Sequence, residues 1–338
     1  MMSIVNGNEC VRVVHWLTIA VGAAAVAALL WYMMWVPGRS WSSALSPLSG
    51  DEIALRDRLR LHIGAIASSE RNVWAPERLE AAAHYLEGAL SEAGYDVERE
   101  EYRSGATTVR NVIVELKGSA RSGDIVIVGA HYDSVHGAPG ANDNGSGVAA
   151  LIELARALRH WTPTRTWRFV LFVNEEPPFF RTGEMGSQVH ARGAHSRNER
   201  IVAMFSLETI GYYSDKAGSQ RYPFGLGLFY PDRGNFLAFV SNLSSRGLLQ
   251  QTMEAFRSQA TFPSEGIAAP AFIPGVDWSD QRSFWERGYR ALMVTDTALY
   301  RYPYYHTLQD TPDKVDYDRL ARVTRALERT FRTLDAAS

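Results

Sequence analysis

The sequence predicts a three-layer α/β/α fold with a mixed, mostly parallel central sheet, preceded by one N-terminal transmembrane helix. Short apolar runs alternate with segments of helical periodicity over residues 76–334, which is typical of a sheet covered by helices on both faces. The runs at 124–129 and 167–173 are almost wholly apolar, as in strands buried on both faces. Residues 13–37 carry no formal charge and are long enough to span a bilayer.

The N-terminal run has the features of a membrane anchor. Trp16 lies near one end and Trp31 and Trp35 near the other, where interfacial rings are expected. A cleaved signal peptide is the alternative, because small residues follow at 42–44. The apolar core of a signal peptide is usually about 7–15 residues, which is shorter than this run. The length therefore favours a retained anchor.

Three regions are expected. The anchor occupies 1–37, a linker rich in Ser, Pro and Gly occupies 38–60, and one domain occupies 61–338. We expect a single-pass membrane protein whose domain is periplasmic or extracellular. Arginines are more frequent on the domain side of the anchor, which leans against that orientation, but long domains cross membranes largely regardless of charge.

Helices are expected where apolar residues recur at helical spacing. Leu79, Leu86 and Leu90 recur in this way, with Pro76 at the start and Gly94 at the stop. Val148, Leu151 and Leu158 share one side of a second segment. In chain order the predicted helices are 76–93, 147–159, 235–257 and an amphipathic closing helix at 318–334.

Strands are expected at the short apolar runs between these helices. In chain order they are 95–102, 110–116, 124–129, 167–173, 201–207 and 291–295. The net charge of −2 and the pI near 6.5 give no reason to expect nucleic-acid binding. A single cysteine excludes intrachain disulfides and a cysteine metal site.

Histidines and carboxylates follow the predicted strands. His131 lies in the run Gly-Ala-His-Tyr-Asp-Ser, and Asp143 lies in a Gly-rich turn before a helix. Glu175 and Glu176 follow one strand and Glu208 follows another, with His306 further on. Ligands bind outside the carboxyl ends of strands in such sheets. Nitrogen and oxygen donors without thiolates suit catalytic zinc, or manganese or cobalt, so the pattern predicts a hydrolase with two metal ions.

Each residue also has a structural interpretation. A lone histidine is more often a core or surface residue than a ligand, and Asp143 can cap the helix that follows it. Glu175 and Glu176 can be solvated charges at a strand end. The neighbouring Pro-Pro-Phe-Phe at 177–180 is stiff and apolar, which better fits a shaped active-site loop.

The segments 129–134, 140–147, 174–176 and 305–311 resemble the co-catalytic zinc aminopeptidases of metallopeptidase clan MH. The resemblance runs from about Arg71 to the C-terminal helix. Relatives in this clan include glutamate carboxypeptidases, the transferrin receptor ectodomain and, more distantly, glutaminyl cyclases. The resemblance implies the zinc-aminopeptidase (phosphorylase/hydrolase-like) fold, peptide substrates and two zinc ions.

The resemblance also implies a role for each residue. His131 and Glu208 would bind one zinc, His306 and Glu176 the other, and Asp143 would bridge the two ions. Glu175 would be the general base for a metal-activated water that cleaves the N-terminal peptide bond. Tyr305 would donate a hydrogen bond to the developing oxyanion, with Tyr304 the neighbour that can be confused with it. Asp133 would orient the His131 ring.

Two alternatives remain open at this point. Glutaminyl cyclase-like acyltransferases of the clan work with one zinc and an acid pair, and many clan members carry Asp where this chain has Glu208. A non-catalytic receptor-like homologue is the other alternative, although such proteins generally lose ligands. For an aminopeptidase we expect an apolar substrate pocket lined by five residues: Phe179, Phe180, Phe272, Ile273 and Trp278.

Overall fold

The computed structural model describes the backbone of residues 7–337 and the side chains of residues 14–337. The helices are α1 (Gly7–Met34), α2 (Gly50–Ile66), α3 (Pro76–Glu92), α4 (Gly145–Leu158), α5 (Gly186–Ser196), α6 (Arg246–Gln259), α7 (Gln281–Trp285), α8 (Ala298–Arg301) and α9 (Tyr317–Ala336). The strands are β1 (Glu98–Ser104), β2 (Thr107–Leu116), β3 (Arg121–His131), β4 (Arg165–Phe172), β5 (Arg200–Glu208), β6 (Leu237–Ser241), β7 (Ser264–Ala268) and β8 (Ala291–Thr295).

All eight strands form one sheet in the order β1-β2-β4-β3-β5-β8-β6-β7. The central strands β4, β3, β5 and β8 are parallel, as are β6 and β7, whereas β1, β2 and the β6–β8 pair introduce antiparallel neighbours. Helices α2, α4, α6 and α9 pack together on one face, and α5 and α7 cover the other. The predicted three-layer fold with a mixed, mostly parallel sheet is confirmed.

Helix α1 contains a stretch that can cross a membrane. Val14–Met34 has a mean hydropathy of 2.0 and little of its surface is covered by the rest of the protein. A signal sequence has the same features, and residues 1–6 of the predicted anchor lie outside the described residues.

Helix α2 begins inside the segment expected to be a linker, 38–60. Ser49 and Glu52 form a capping box that starts the helix. Leu55 and Leu59 are buried in the core, and α2 packs against α4 and α9. Residues 50–60 therefore belong to the packed domain.

The predicted helix at 235–257 is wrong over its first part. Residues 237–241 form β6, in which every residue is buried; all five pair with β7, and residues 238–241 also pair with β8. Helix α6 begins only at Arg246, after Asn242 has capped a short 3-10 turn. So short a run, apolar except for Ser241, has no periodicity that separates a buried strand from a buried helix. Only the neighbouring strands determine its conformation.

A buried glutamate joins α2 to α4. The Glu153 side chain is almost fully buried, and its carboxylate accepts hydrogen bonds from Arg58 Nε at 2.6 Å and Arg156 Nε at 3.1 Å. It also contacts His62 Nε2 at 3.1 Å. Burial opposes ionisation of Glu153, but the hydrogen bonds from His62 and Arg58 outweigh it and lower the pKa of Glu153.

We expect Glu153→Gln to lower the free energy of unfolding by about 2–3 kcal/mol, because it weakens buried hydrogen bonds to charged donors. A lowered folded-state pKa contributes stability that is present above the pKa of an unfolded glutamate and is lost as pH falls through the folded value. The difference between the two proteins should therefore shrink below about pH 4.5. Urea denaturation between pH 3 and 7 measures it, and a difference that does not depend on pH would contradict the assignment.

Candidate metal centre

The candidate residues lie together at one edge of the sheet. His131 is the last residue of β3 and Glu208 the last of β5, while Glu175 and Glu176 follow β4 by three and four residues. Because these three strands are parallel neighbours, their carboxyl ends meet at the same edge. Asp143 lies in the turn before α4 at this edge.

His306 reaches the same edge from a loop. It follows α8 and has a positive φ of 57°, a left-handed conformation that few residues with a Cβ adopt. Its Nε2 lies 3.1 Å from Asp143 Oδ2 and 3.3 Å from Glu176 Oε1. The loop therefore completes a group whose other members come from strand ends and from the turn before α4.

Asp143 lies between the two histidines. Its Oδ1 is 3.4 Å from His131 Nε2, and its Oδ2 faces His306. Glu208 Oε2 is 3.3 Å from His131 Nε2. The arrangement is thus two imidazole–carboxylate groups that share Asp143.

The donor atoms fit divalent metal ions. Four buried atoms of the centre have no hydrogen-bond partner among the described residues: His131 Nδ1 and Nε2, Asp143 Oδ2 and Glu176 Oε1. A buried polar atom left without a partner costs about 1–3 kcal/mol. Bonds of about 2.0–2.1 Å in tetrahedral zinc sites separate neighbouring donors by about 3.3 Å. The separations of 3.1–3.4 Å found here match that spacing.

The two imidazoles of the centre have raised pKa values. Burial alone would lower the pKa of His131, but the charges of Glu208 and Glu175 raise it well above the usual value. Contacts with Asp143 and Glu176 outweigh burial in the same way and raise the pKa of His306 to about 11. Metal ligands must be deprotonated, so a bound cation favours the opposite forms.

Two carboxyl groups at strand β4 also have raised pKa values. Burial raises the pKa of Glu176 to about 7, and the nearby charge of Asp143 adds to this effect. Burial raises the pKa of Glu175 well above the usual value, and the charges of Glu208 and Glu176 add to it. Strong shifts in a cleft are typical of functional sites.

Asp133 supports the centre in a way that the sequence did not predict. Its two carboxylate oxygens accept hydrogen bonds from the backbone N–H groups of Glu175 at 3.1 Å and Glu176 at 3.0 Å. Its Oδ1 also lies 3.5 Å from His131 Nδ1. Asp133 therefore fixes the turn that presents both glutamates, in addition to lying beside the imidazole that it was expected to orient.

Three further residues hold the centre and were missed in the sequence. Ser279 Oγ donates to Glu208 Oε2 at 2.6 Å. Asp310 accepts from the backbone N–H groups of residues 142 and 143. Arg71 is buried and donates to carbonyls of both Gly-rich motifs, at residues 132 and 140. Asp310 lies inside the motif at 305–311, so the sequence could have indicated it. Ser279 and Arg71 lie in segments without periodicity, where no local pattern marks them.

A cavity with a volume of about 120 Å³ opens beside the centre. Glu208 and Tyr305 line its catalytic end, and the Tyr305 ring stacks on His306 with 3.9 Å between centroids. Tyr304 does not line this cavity, and its ring lies near Lys314 instead.

The cavity floor is formed by strand residues in register. Glu208 pairs with Thr295, Thr295 with Ala238, and Ala238 with Glu265. A parallel row two residues further along the strands contributes Met293, Val240 and Ile267. The floor is therefore the face of β8, β6 and β7 that continues from the metal centre.

The expected pocket residues are partly wrong. Ile273 and Trp278 line the cavity, but Phe179, Phe180 and Phe272 do not. Phe272 is 84% exposed, so it points away from the cavity. The strand face was missed because β6 was taken for a helix and β7 was not predicted.

Comparisons with known proteins identify the family of the chain. The family model described as Peptidase family M28 matches residues 111–330. The uncharacterized protein YfbL of Escherichia coli is 38% identical over 73% of this chain and 78% of its own length. Aminopeptidase YwaD of Bacillus subtilis is 28% identical over 63% of this chain, which matches 42% of that protein.

Solved structures share the fold. The aminopeptidase from Aneurinibacillus sp. strain AM-1 has a TM-score of 0.60 at 18% identity, covering 83% of this chain and 95% of that one. The Fimbriiglobus ruber glutaminyl cyclase has a TM-score of 0.62 at 20% identity, covering 87% and 98%. At these identities the similarity concerns the fold, and it includes both aminopeptidases and glutaminyl cyclases.

We expect Zn²⁺ to raise the melting temperature of metal-stripped protein by about 5–10 °C at saturating concentration, because it binds only the folded state. Asp143→Asn should remove most of this gain, since the amide no longer offers two anionic oxygens. The exposed Asp57→Asn is the matched control and should keep it. Differential scanning fluorimetry measures the shift. An unchanged gain in Asp143→Asn would show that Zn²⁺ binds elsewhere.

Proposed function

The chain belongs to peptidase family M28, and from this premise we propose that it is a metal-dependent exopeptidase of the aminopeptidase type. The proposal rests on one observation. Glu175, two histidines and three further carboxylates lie together at one edge of the sheet. The name of the YwaD relative supports the aminopeptidase type. Peptides are the proposed substrates, cleaved at the N-terminal peptide bond.

In this proposal the chain holds two zinc ions. His131 and Glu208 would hold one ion, His306 and Glu176 would hold the other, and Asp143 would be shared between the two sets. The donor separations and the four unpartnered buried atoms support this assignment. When bound, zinc polarises the scissile carbonyl and lowers the pKa of water.

Glu175 is the proposed general base. Its backbone N–H is held by Asp133, and its Oε2 lies 3.9 Å from His131 Nε2, farther away than the proposed ligand atoms. Its carboxylate takes a proton from the attacking water and delivers it to the leaving amine nitrogen. Such a group works best when its pKa is near the working pH, which a raised pKa favours.

Tyr305 is the proposed oxyanion donor. Burial raises the pKa of its phenol well above the usual value, and the neighbouring carboxylates add to this. The phenol therefore keeps its proton at neutral pH and donates a hydrogen bond to the oxygen on which charge develops. Its place on the cavity wall beside Glu208 supports this role over Tyr304.

We further propose that residues 1–37, which include α1, form a retained single-pass anchor. The domain would then lie on the periplasmic or extracellular side. The length and hydropathy of Val14–Met34 support the anchor, and a signal sequence is the alternative.

Leucine p-nitroanilide and an N-terminal glutaminyl peptide, each with and without chelator, separate the candidate functions. Chelator-sensitive release of nitroaniline supports the aminopeptidase. Cyclisation of the glutaminyl peptide with about one zinc per chain would instead establish a glutaminyl cyclase. The presence of both His131 and Glu208 near Asp143 favours two ions. If neither substrate is converted, the non-catalytic receptor-like homologue is the remaining candidate.

We expect Glu175→Gln to lower kcat by about 10²–10⁴-fold, the contribution typical of a general base. The metal content should stay unchanged, because Glu175 is not a proposed ligand. Steady-state kinetics and metal analysis of the same sample measure both quantities. The matched control is Glu184→Gln, an exposed glutamate of the same loop. Full activity in Glu175→Gln would remove this residue from the mechanism.

We expect Ala238→Leu to reduce kcat/KM for leucine and phenylalanine anilides by about 10–100-fold, because the added atoms enter the cavity floor. Alanine anilide should lose no more than about threefold, since its side chain needs less room. A panel of aminoacyl anilides measures the ratio. Equal losses for all substrates, or best turnover of lysine or glutamate anilides by the unmodified protein, would contradict an apolar substrate pocket.

A further inference from the structure

Two loops beside the cavity expose large apolar side chains. We call residues 221–230 and 269–276 the apolar loops. Phe224, Leu228 and Phe229 of the first are 79, 86 and 55% exposed, and Phe272 of the second is 84% exposed. Both loops also line the cavity with other residues, so one side of each is packed. Grouped exposed apolar side chains mark interaction surfaces.

The apolar loops lie beside the C-terminal end of α1. Met33 is buried in one apolar cluster with Ala269 and Val276, and Tyr222 and Ile273 pack at its margin. Each loop therefore has residues in the same cluster as the last turn of α1.

Polar contacts also attach the end of α1 to the domain. Arg246 Nε donates to the Tyr32 carbonyl at 2.7 Å, and its guanidinium lies 4.1 Å from the centroid of the Tyr32 ring. Arg257 donates to the carbonyls of Pro37 and Gly38 at 3.2 and 3.0 Å. The exit of α1 is therefore held in one position relative to the domain.

This exit lies at the edge of the sheet opposite the metal centre. Strand β8 ends at the catalytic edge with Thr295, and β6 runs antiparallel to it, so Ser241 lies opposite Leu292 at the other edge. Strand β7 is parallel to β6, and Ala269 donates its N–H to the Ser241 carbonyl. Arg246 follows β6, so it and Tyr32 near the end of α1 lie near this edge. The chain then runs along β7, because Arg257 bonds both Gly38 and Ser264 at the start of that strand.

The same edge carries positive charge. Arg290 is exposed and immediately precedes β8, whose first residue donates its N–H to Ser245 Oγ. Neither Arg290 nor Arg246 has an ion-pair partner within 4.0 Å in the part of the chain that the structure describes. Trp31 and Trp35, near the end of α1, are 61 and 46% exposed. Arginines and interfacial tryptophans together are typical of the lipid headgroup level.

We propose that the edge of the domain opposite the metal centre lies on a phospholipid surface, with the tips of the apolar loops among the headgroups. Arg246 and Arg290 then face lipid phosphates. The proposal rests on α1 being a retained membrane span, and it goes beyond the proposed peptidase activity.

A lipid bilayer is the partner proposed for this surface, because α1 itself requires one. The exposed apolar surface of Val14–Met34 needs hydrocarbon around it, and this helix ends in the cluster that also holds the apolar loops. The second apolar loop begins at this edge with Ala269, and the first contacts the same cluster through Tyr222. The cavity then extends from Glu208 at the catalytic edge to Ala269 at the lipid edge, which gives apolar peptides at the membrane a short route to the centre.

The test uses the full chain in nanodiscs that contain anionic phospholipid and a nitroxide on the upper acyl chain. The single cysteine, Cys10, is replaced by serine, and one new cysteine at Leu228 or Phe272 carries an environment-sensitive NBD label. The matched control places the label at Ser91, an exposed residue of α3. Helix α3 packs near β2, which lies next to β1 at one end of the sheet, whereas β7 lies at the other end. Ser91 is therefore far from the proposed lipid surface.

We expect the labels at 228 and 272 to emit at shorter wavelength and to lose more than about half of their emission to the lipid nitroxide. The label at 91 should keep its emission. Equal quenching at all three positions overturns the proposal, and so does a blue shift at 228 and 272 without quenching, which would indicate a protein partner. Both residues are more than four-fifths exposed, so their replacement leaves the core intact. Because hydrolysis is not measured, inactivity of the enzyme would count against the proposed function and not against this surface.

Discussion

The clustering of five ionisable side chains, with Asp143 shared between two histidines, is the constraint on which the rest of this structure depends. Asp143 lies 3.4 Å from His131 and 3.1 Å from His306, and each histidine also contacts a second carboxylate, that of Glu208 or Glu176. Four atoms of this group have no hydrogen-bond partner among the described residues. Such a group is costly in a folded protein unless cations neutralise it. The surrounding protein is arranged to hold it, through Asp133, Ser279 and Asp310, each of which bonds a centre residue or the backbone of one.

The parallel strands explain why this group can form. Parallel neighbours end at one edge, so residues far apart in the chain meet without long side chains or a separate scaffold. The antiparallel return of β6 then extends the sheet face beyond Glu208 and creates a floor for the cavity. Catalytic edge and substrate cavity are thus two consequences of one sheet topology.

The same topology places the metal centre and the end of α1 at opposite edges of the sheet. The ends of β6 and β7 point away from the metal centre, and Tyr32 near the end of α1 is fixed there by Arg246. In the proposed arrangement, a peptidase anchored at this edge would keep its metal centre clear of the lipid while its cavity still extends toward the anchor. The attachment would then influence which substrates reach the centre, whereas the centre would determine what happens to them.

The sequence by itself determined the fold class, the family and the position of each candidate ligand, because long periodic helices, buried strands and Gly-rich turns are local patterns. Strands such as 201–207 and 291–295 were predicted correctly for this reason. Tertiary structure alone decided residues 237–241, where four apolar residues and Ser241 form a strand only because β7 and β8 lie beside them. It also decided the cavity floor, the support from Ser279 and Arg71, and the exposed position of Phe272. These depend on contacts between distant segments, which no local pattern records.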